Sequence, residues 1–115
     1  MFEFNIKKQS PYIWVDLIGK LISDEDATNM MDTISSELSS KNPFIIMNLK
    51  DLNYINSSGF NNFLKVLTLS RNIDGDTILC NTNNNINQLL ITTKLNTIFK
   101  IENEINSIDD YINKK

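Results

Sequence analysis

A chain of 115 residues, 41% hydrophobic and 22% charged, is long enough to close one hydrophobic core and too short for two. A net charge of −3 and a pI near 4.8, with no basic run or stripe, disfavour nucleic acid or an anionic membrane surface as the main partner. The complete lack of histidine removes Ser-His-Asp and Cys-His catalysis together with the commonest metal ligand, so no catalytic residue, metal or cofactor is expected.

No stretch approaches the roughly 20 apolar residues that would span a bilayer, so no membrane insertion is expected. Met1-Phe2-Glu3-Phe4 lacks the basic n-region of a leader. Cys80 is the one cysteine and has no internal disulfide partner, which suits a reducing compartment. The expectation is a cytoplasmic protein with a single domain over residues 1–115. The oligomeric state stays open, a homodimer included.

Phe2, Phe4 and Ile6 alternate with polar residues, so residues 2–7 read as a half-buried strand. Gln9-Ser10-Pro11 interrupts the pattern and Tyr12 to Ile18 resumes it, with Ile13, Val15 and Leu17 on one face. The two runs form an antiparallel pair, and Trp14 falls on the opposite face. Ser23, followed three residues later by Asp26, marks a helix start of the capping-box kind, and Asp24 and Glu25 complement the helix dipole. Ala27, Met30, Met31, Ile34 and Leu38 carry helical spacing to about residue 39. Asp24-Glu25-Asp26 lacks further carboxylates at loop spacing, which favours a charged helix start over a cation site.

After the connection Ser39 to Pro43, the nearly continuous apolar run 44–49 reads as a strand buried on both faces. Phe60, Phe63, Leu64 and Leu67 then recur at helical spacing within a helix of residues 58–72. Asp74-Gly75-Asp76 makes a turn into a strand at Thr77 to Cys80, where Cys80 reads as a small core residue. A polar run from Asn81 to Asn85 leads to a short helix bearing Ile86, Leu89 and Leu90. A fifth strand is expected at Ile98 to Ile101, and a last helix from about Ser107 with Ile108, Tyr111 and Ile112 inward. This order predicts an α/β domain: a mixed sheet of four to five strands, antiparallel in its opening pair and then built from parallel βαβ units.

In such sheets the functional crevice lies at the carboxyl ends of the parallel strands, and Asn56-Ser57-Ser58-Gly59 falls there. One reading of this turn is structural: Ser57 is a helix N-cap, Gly59 eases the tight turn, and Asn56 closes an Asx-turn. The other is functional, because a helix N-terminus suits a phosphate and Ser57 would be a phosphoacceptor. The turn is neither a Walker A loop nor a nucleophile elbow. With no histidine and no nearby lysine as base, nucleophilic catalysis by Ser57 is disfavoured, and on the functional reading it is a serine on which another protein acts.

Met47-Asn48-Leu49-Lys50-Asp51-Leu52-Asn53-Tyr54-Ile55-Asn56-Ser57-Ser58-Gly59-Phe60 resembles the signature of the STAS domain, in particular of bacterial anti-sigma-factor antagonists. Gly19-Lys20-Leu21 is similar to the family's Gly-Glu-Leu/Ile element, and length and element order agree over essentially the whole chain. The resemblance implies a non-enzymatic regulator of transcription that binds an anti-sigma factor which is also a serine kinase, thereby freeing a sigma factor. It implies Ser57 as the phosphoacceptor, phosphorylation as the off-switch, and a metal-dependent serine phosphatase that reverses it. Asp24, Asn56, Ser57, Ser58, Gly59 and Phe60 are the expected partner-binding residues. Two positions depart from the family pattern: Asn56 stands for the aspartate before the serine, and Ile22 for the aspartate after Gly-Glu-Leu. Both losses of acid favour the alternative, a non-phosphorylated STAS scaffold subunit of a signalling or lipid-transport complex. A nucleotide-sensing crevice is disfavoured by the lack of a glycine-rich loop.

Overall fold

The computed structural model describes residues 1–114. Its strands are β1 (Phe2–Gln9), β2 (Tyr12–Leu21), β3 (Phe44–Ile55), β4 (Asp76–Cys80) and β5 (Lys100–Glu102). Its helices are α1 (Asp24–Glu37), α2 (Ser57–Asn72), α3 (Asn84–Thr92) and α4 (Ile108–Lys114), with a single 3-10 turn at Leu95–Thr97. The sheet order follows the sequence, β1-β2-β3-β4-β5, with β1 antiparallel to β2 and every later pair parallel. This is the mixed α/β architecture that the element order predicts.

The alternation along each strand divides the core into two. Ile13, Val15, Leu17, Ile45, Met47 and Leu79 face α1, α2 and α3, meeting Met30, Ile34, Phe63 and Val66. Trp14, Ile46, Ile78 and Cys80 point the other way, onto Ile105, Ile108 and Tyr111 of α4 and its approach. Trp14 thus packs against a helix, and its indole Nε1–H donates to Asp16 Oδ1 at 2.7 Å. The Cys80 thiol lies buried in this second core. Burial, helped by the Asp16 carboxylate, pushes its pKa from 9.0 up to about 12, so it stays protonated and unreactive, in line with its core role.

β3, β5 and Ile112 depart from the sequence expectation in ways that matter to the site or the core. β3 runs to Ile55 instead of ending at residue 49, because its pairing with β2 shifts register twice, between Asp16 and Ile18 and between Gly19 and Lys20. Each shift places one extra residue in β3, so the inward positions pass from every second residue to Leu49, Leu52 and Ile55, all buried. β5 begins at Lys100, since Phe99 turns into the core behind the 3-10 turn. Ile112, expected to face inward, is 40% exposed: in this short helix Ile108 and Tyr111 take the sheet-facing stripe.

Candidate functional site

The site grows from the end of β3. Leu52 and Ile55 anchor the strand in the core, so Asn56 emerges at the carboxyl edge of the sheet. Asn56 adopts extended backbone (φ −93°, ψ 175°) and caps α2. Its Oδ1 accepts the Gly59 N–H at 2.8 Å and its Nδ2 donates to the Ile22 carbonyl at 3.1 Å. A donor on one side and a carbonyl on the other fix the orientation of the amide. The Asn56 N–H adds a third tie, to the Leu21 carbonyl at 3.3 Å.

The N-cap is therefore Asn56 and not Ser57, which corrects the structural reading of the serine. Ser57 is the first residue of α2 and Ser58 the second; both are exposed. Among the described residues, neither hydroxyl has a hydrogen-bond partner. The N–H groups of these two residues belong to the set that no helix satisfies internally. The Ser57 hydroxyl is thus presented to solvent beside unsatisfied donors at the positive end of a 16-residue helix.

Gly59 is buried under the turn. A Cβ there would lie 3.0 Å from the Leu21 carbonyl oxygen and 3.0 Å from Ile55 Cγ1, so the glycine permits the helix to approach β2 closely. Phe60 is only 3% exposed and packs against Phe63 and Phe99 at ring-centroid separations of 5.4 and 6.5 Å. These two residues support the turn from beneath, whereas Asn56, Ser57 and Ser58 form its surface. Asp24 is exposed in the first turn of α1, two residues beyond the Ile22 carbonyl that Asn56 holds. The fold thus brings the β2–α1 loop and the α2 N-terminus together.

On its other side the turn borders a cavity of about 460 Å³, lined by Tyr54, Ile55, Asn56, Ser57, Asn85, Ile86 and Leu89. Ile22 and Tyr54, each about half exposed (52% and 51%), place apolar surface near the serine. Among the described residues, no three Cys, Asp or Glu side chains are grouped to hold a metal ion, and no helix is long and apolar enough to cross a membrane.

One polar constellation escapes a reading by periodicity. On the α4 side, Asn48 Nδ2 donates to Asp16 Oδ1 at 2.9 Å, and Asn81 Nδ2 donates to Asn48 Oδ1 at 2.8 Å. Asn81 also takes the N–H of Ile105 at 3.0 Å, tying the α4 approach to three strands. The available signal is a polar residue within each of two apolar strands, since Asp16 pairs with Asn48 in register. The row thus links β2, β3 and the residue after β4 to the approach to α4 and pins this side of the core.

The STAS domain family profile matches residues 3–108, and the chain belongs to that family. Its fold is shared with TM1081 from Thermotoga maritima, a candidate anti-sigma factor antagonist, at a TM-score of 0.78 and 19% identity over 96% of this chain and 92% of that one. It is shared equally with the phosphorylated form of the Bacillus cell fate determinant SpoIIAA, at a TM-score of 0.77 and 18% identity over 97% and 98% of the two chains. A sulfate transporter family protein from Wolinella succinogenes also has it, at a TM-score of 0.72 and 7% identity over 90% and 84%. A search of curated protein sequences finds no match.

Proposed function

As a member of the STAS family this protein is, we propose, an anti-sigma-factor antagonist: a non-enzymatic binding module switched by phosphorylation of Ser57. The observation that carries the reading is the exposed Ser57 hydroxyl at the N-terminus of α2, held out by a cap that does not use it. The unphosphorylated turn, with Asn56, Ser57, Ser58 and Asp24 at its surface and Ile22 and Tyr54 beside it, docks on an anti-sigma factor that is also a serine kinase. A phosphate on Ser57 adds about −1.5 to −2 charges at the centre of that surface. The helix dipole and the free N–H groups accommodate those charges without unfolding α2, while docking is opposed by repulsion and desolvation. A serine phosphatase resets the switch. The similarity to SpoIIAA, known in both unphosphorylated and phosphorylated forms, supports the reading.

The test is intact-mass measurement after incubation with the cognate kinase and ATP. One added phosphate, absent in Ser57→Ala, together with weaker binding of the phosphorylated protein, is expected. No mass gain with a kinase active on another substrate would refute the switch.

A second reading is favoured by Asn56. Its amide donates to the Ile22 carbonyl, which a carboxylate cannot do, so the departure from aspartate serves the architecture of the turn. On that reading the domain is a constitutive scaffold of a signalling or lipid-transport complex. Native co-purification followed by mass spectrometry separates the two: a kinase with its sigma factor favours the first, transporter subunits the second.

A further inference from the structure

The two edges of the sheet differ in kind. β5 closes one edge with three residues, too short to template another strand. β1 leaves the other edge open over eight residues, Phe2–Gln9, with no proline and an unbroken register against β2 from Phe2↔Gly19 to Gln9↔Tyr12. The Met1 carbonyl accepts from Lys20 N–H at 3.0 Å, so odd-numbered residues turn their backbone groups toward β2. The N–H and C=O groups of Phe2, Phe4, Ile6 and Lys8 therefore point outward, away from the sheet. The side chains of Phe2, Phe4 and Ile6 are only partly buried on the α1 side of the core.

The opposite face of β1 carries a self-complementary charge pattern. Glu3 and Lys7 are both exposed, flank Asn5 symmetrically, and make no ion pair among the described residues. Lys8, by contrast, is engaged on the other face with Glu37 at 2.5 Å.

We propose that β1 is the interface for a second copy of this chain, pairing antiparallel with its twin about a two-fold axis at Asn5 and joining two sheets into one of ten strands. In this register Glu3 lies opposite Lys7 of the second copy, and Lys7 opposite its Glu3. Phe4 lies opposite Ile6 of the second copy, and the outward groups of Phe4 and Ile6 satisfy one another. A two-fold shifted by one residue toward Phe4 or Ile6 sets Asn5 against Glu3 or Lys7 and forms neither ion pair. The axis is perpendicular to the sheet, so both sets of helices stay on one side. The two Ser57 turns end at opposite ends of the joined sheet, each open to its own partner. An isologous interface of this kind is the commonest route to a closed dimer. The inference does not depend on Ser57 being phosphorylated.

Sedimentation equilibrium over a concentration series into the high micromolar range tests it. The wild type should reach twice the 13.2 kDa chain mass. E3K and K7E should each weaken association by about tenfold or more, since two cross-strand pairs turn repulsive at once. Mixing the E3K and K7E chains should restore a heterodimer, because each Lys at one position then meets Glu at the other, and the double variant E3K/K7E should dimerise alone. Circular dichroism checks that these exposed changes leave the fold intact. A wild type that stays monomeric, or a dimer indifferent to both single changes, overturns the proposal. So does failure of the mixed chains to associate.

Discussion

Two strand-to-helix turns stand side by side at the carboxyl edge of the sheet and use the same device. Asn56 caps α2 by accepting from Gly59 N–H at 2.8 Å and donating to the Ile22 carbonyl at 3.1 Å. Asn83 caps α3 by accepting from Ile86 N–H at 2.9 Å and donating to the Leu52 carbonyl at 2.9 Å. Each amide thus fixes a helix start and staples it to the preceding loop or strand. What differs is the sequence after the cap. In the first turn come two exposed serines and then Gly59 and Phe60, both buried; in the second, Asn84 and Asn85 are exposed, Ile86 is buried and Asn87 half-buried. The cap is therefore a general element of this chain, and the feature peculiar to the first turn is a free hydroxyl on a deeply anchored helix. The difference also explains Asn56 without reference to a kinase: asparagine is the residue whose side chain serves both roles at once.

The largest expected effect separates the two anchors. Phe60→Ala should cost about 3–5 kcal/mol, because it opens a cavity among Phe63 and Phe99. At the corresponding place after the second cap, Asn87→Ala removes only the 2.6 Å hydrogen bond from Thr82 Oγ1 and should cost about 1 kcal/mol. Urea denaturation of both variants measures the contrast, and equal losses would break it. Next in size are the caps themselves. Asn56→Ala and Asn83→Ala should each destabilise by about 0.5–2 kcal/mol, and by similar amounts. A negligible loss at Asn56 alone would mean that the first turn is held by something other than its cap. The smallest effect sharpens the role of Ser57. Ser57→Ala should change stability by less than about 0.5 kcal/mol, since the hydroxyl holds nothing. Ser57→Asp should stabilise by about 0.3–1 kcal/mol through the α2 dipole, an effect that fades with added salt. Thermal denaturation at low and high ionic strength reads both; a cost for Ser57→Ala comparable to that of Asn56→Ala would return the capping role to the serine.

Much of this was legible in the sequence because it depends on local rules. Period two in residues 2–7 and 12–18, the apolar run from Phe44, the helical spacing of Phe60, Phe63 and Leu67, and the Ser23 cap all carry their own signals, and the structure follows them. The position of the serine turn at the end of a parallel strand followed from the order of elements alone. The polar row Asp16–Asn48–Asn81 was not legible, because in an asparagine-rich chain a single Asn carries no weight until register sets it beside a partner.

The chain by itself determined the α/β class, the two faces of the opening strands, and the placement of Ser57 where β3 gives way to α2. Only the tertiary structure decided that β3 continues to Ile55, since two register shifts against β2 belong to a pair of strands and not to either one. It also decided that Asn56, not Ser57, caps α2. The nearer serine is an equally good capping residue by composition, and the choice falls to asparagine because the Ile22 carbonyl, 34 residues away in the chain, lies within reach of its amide and fixes it there.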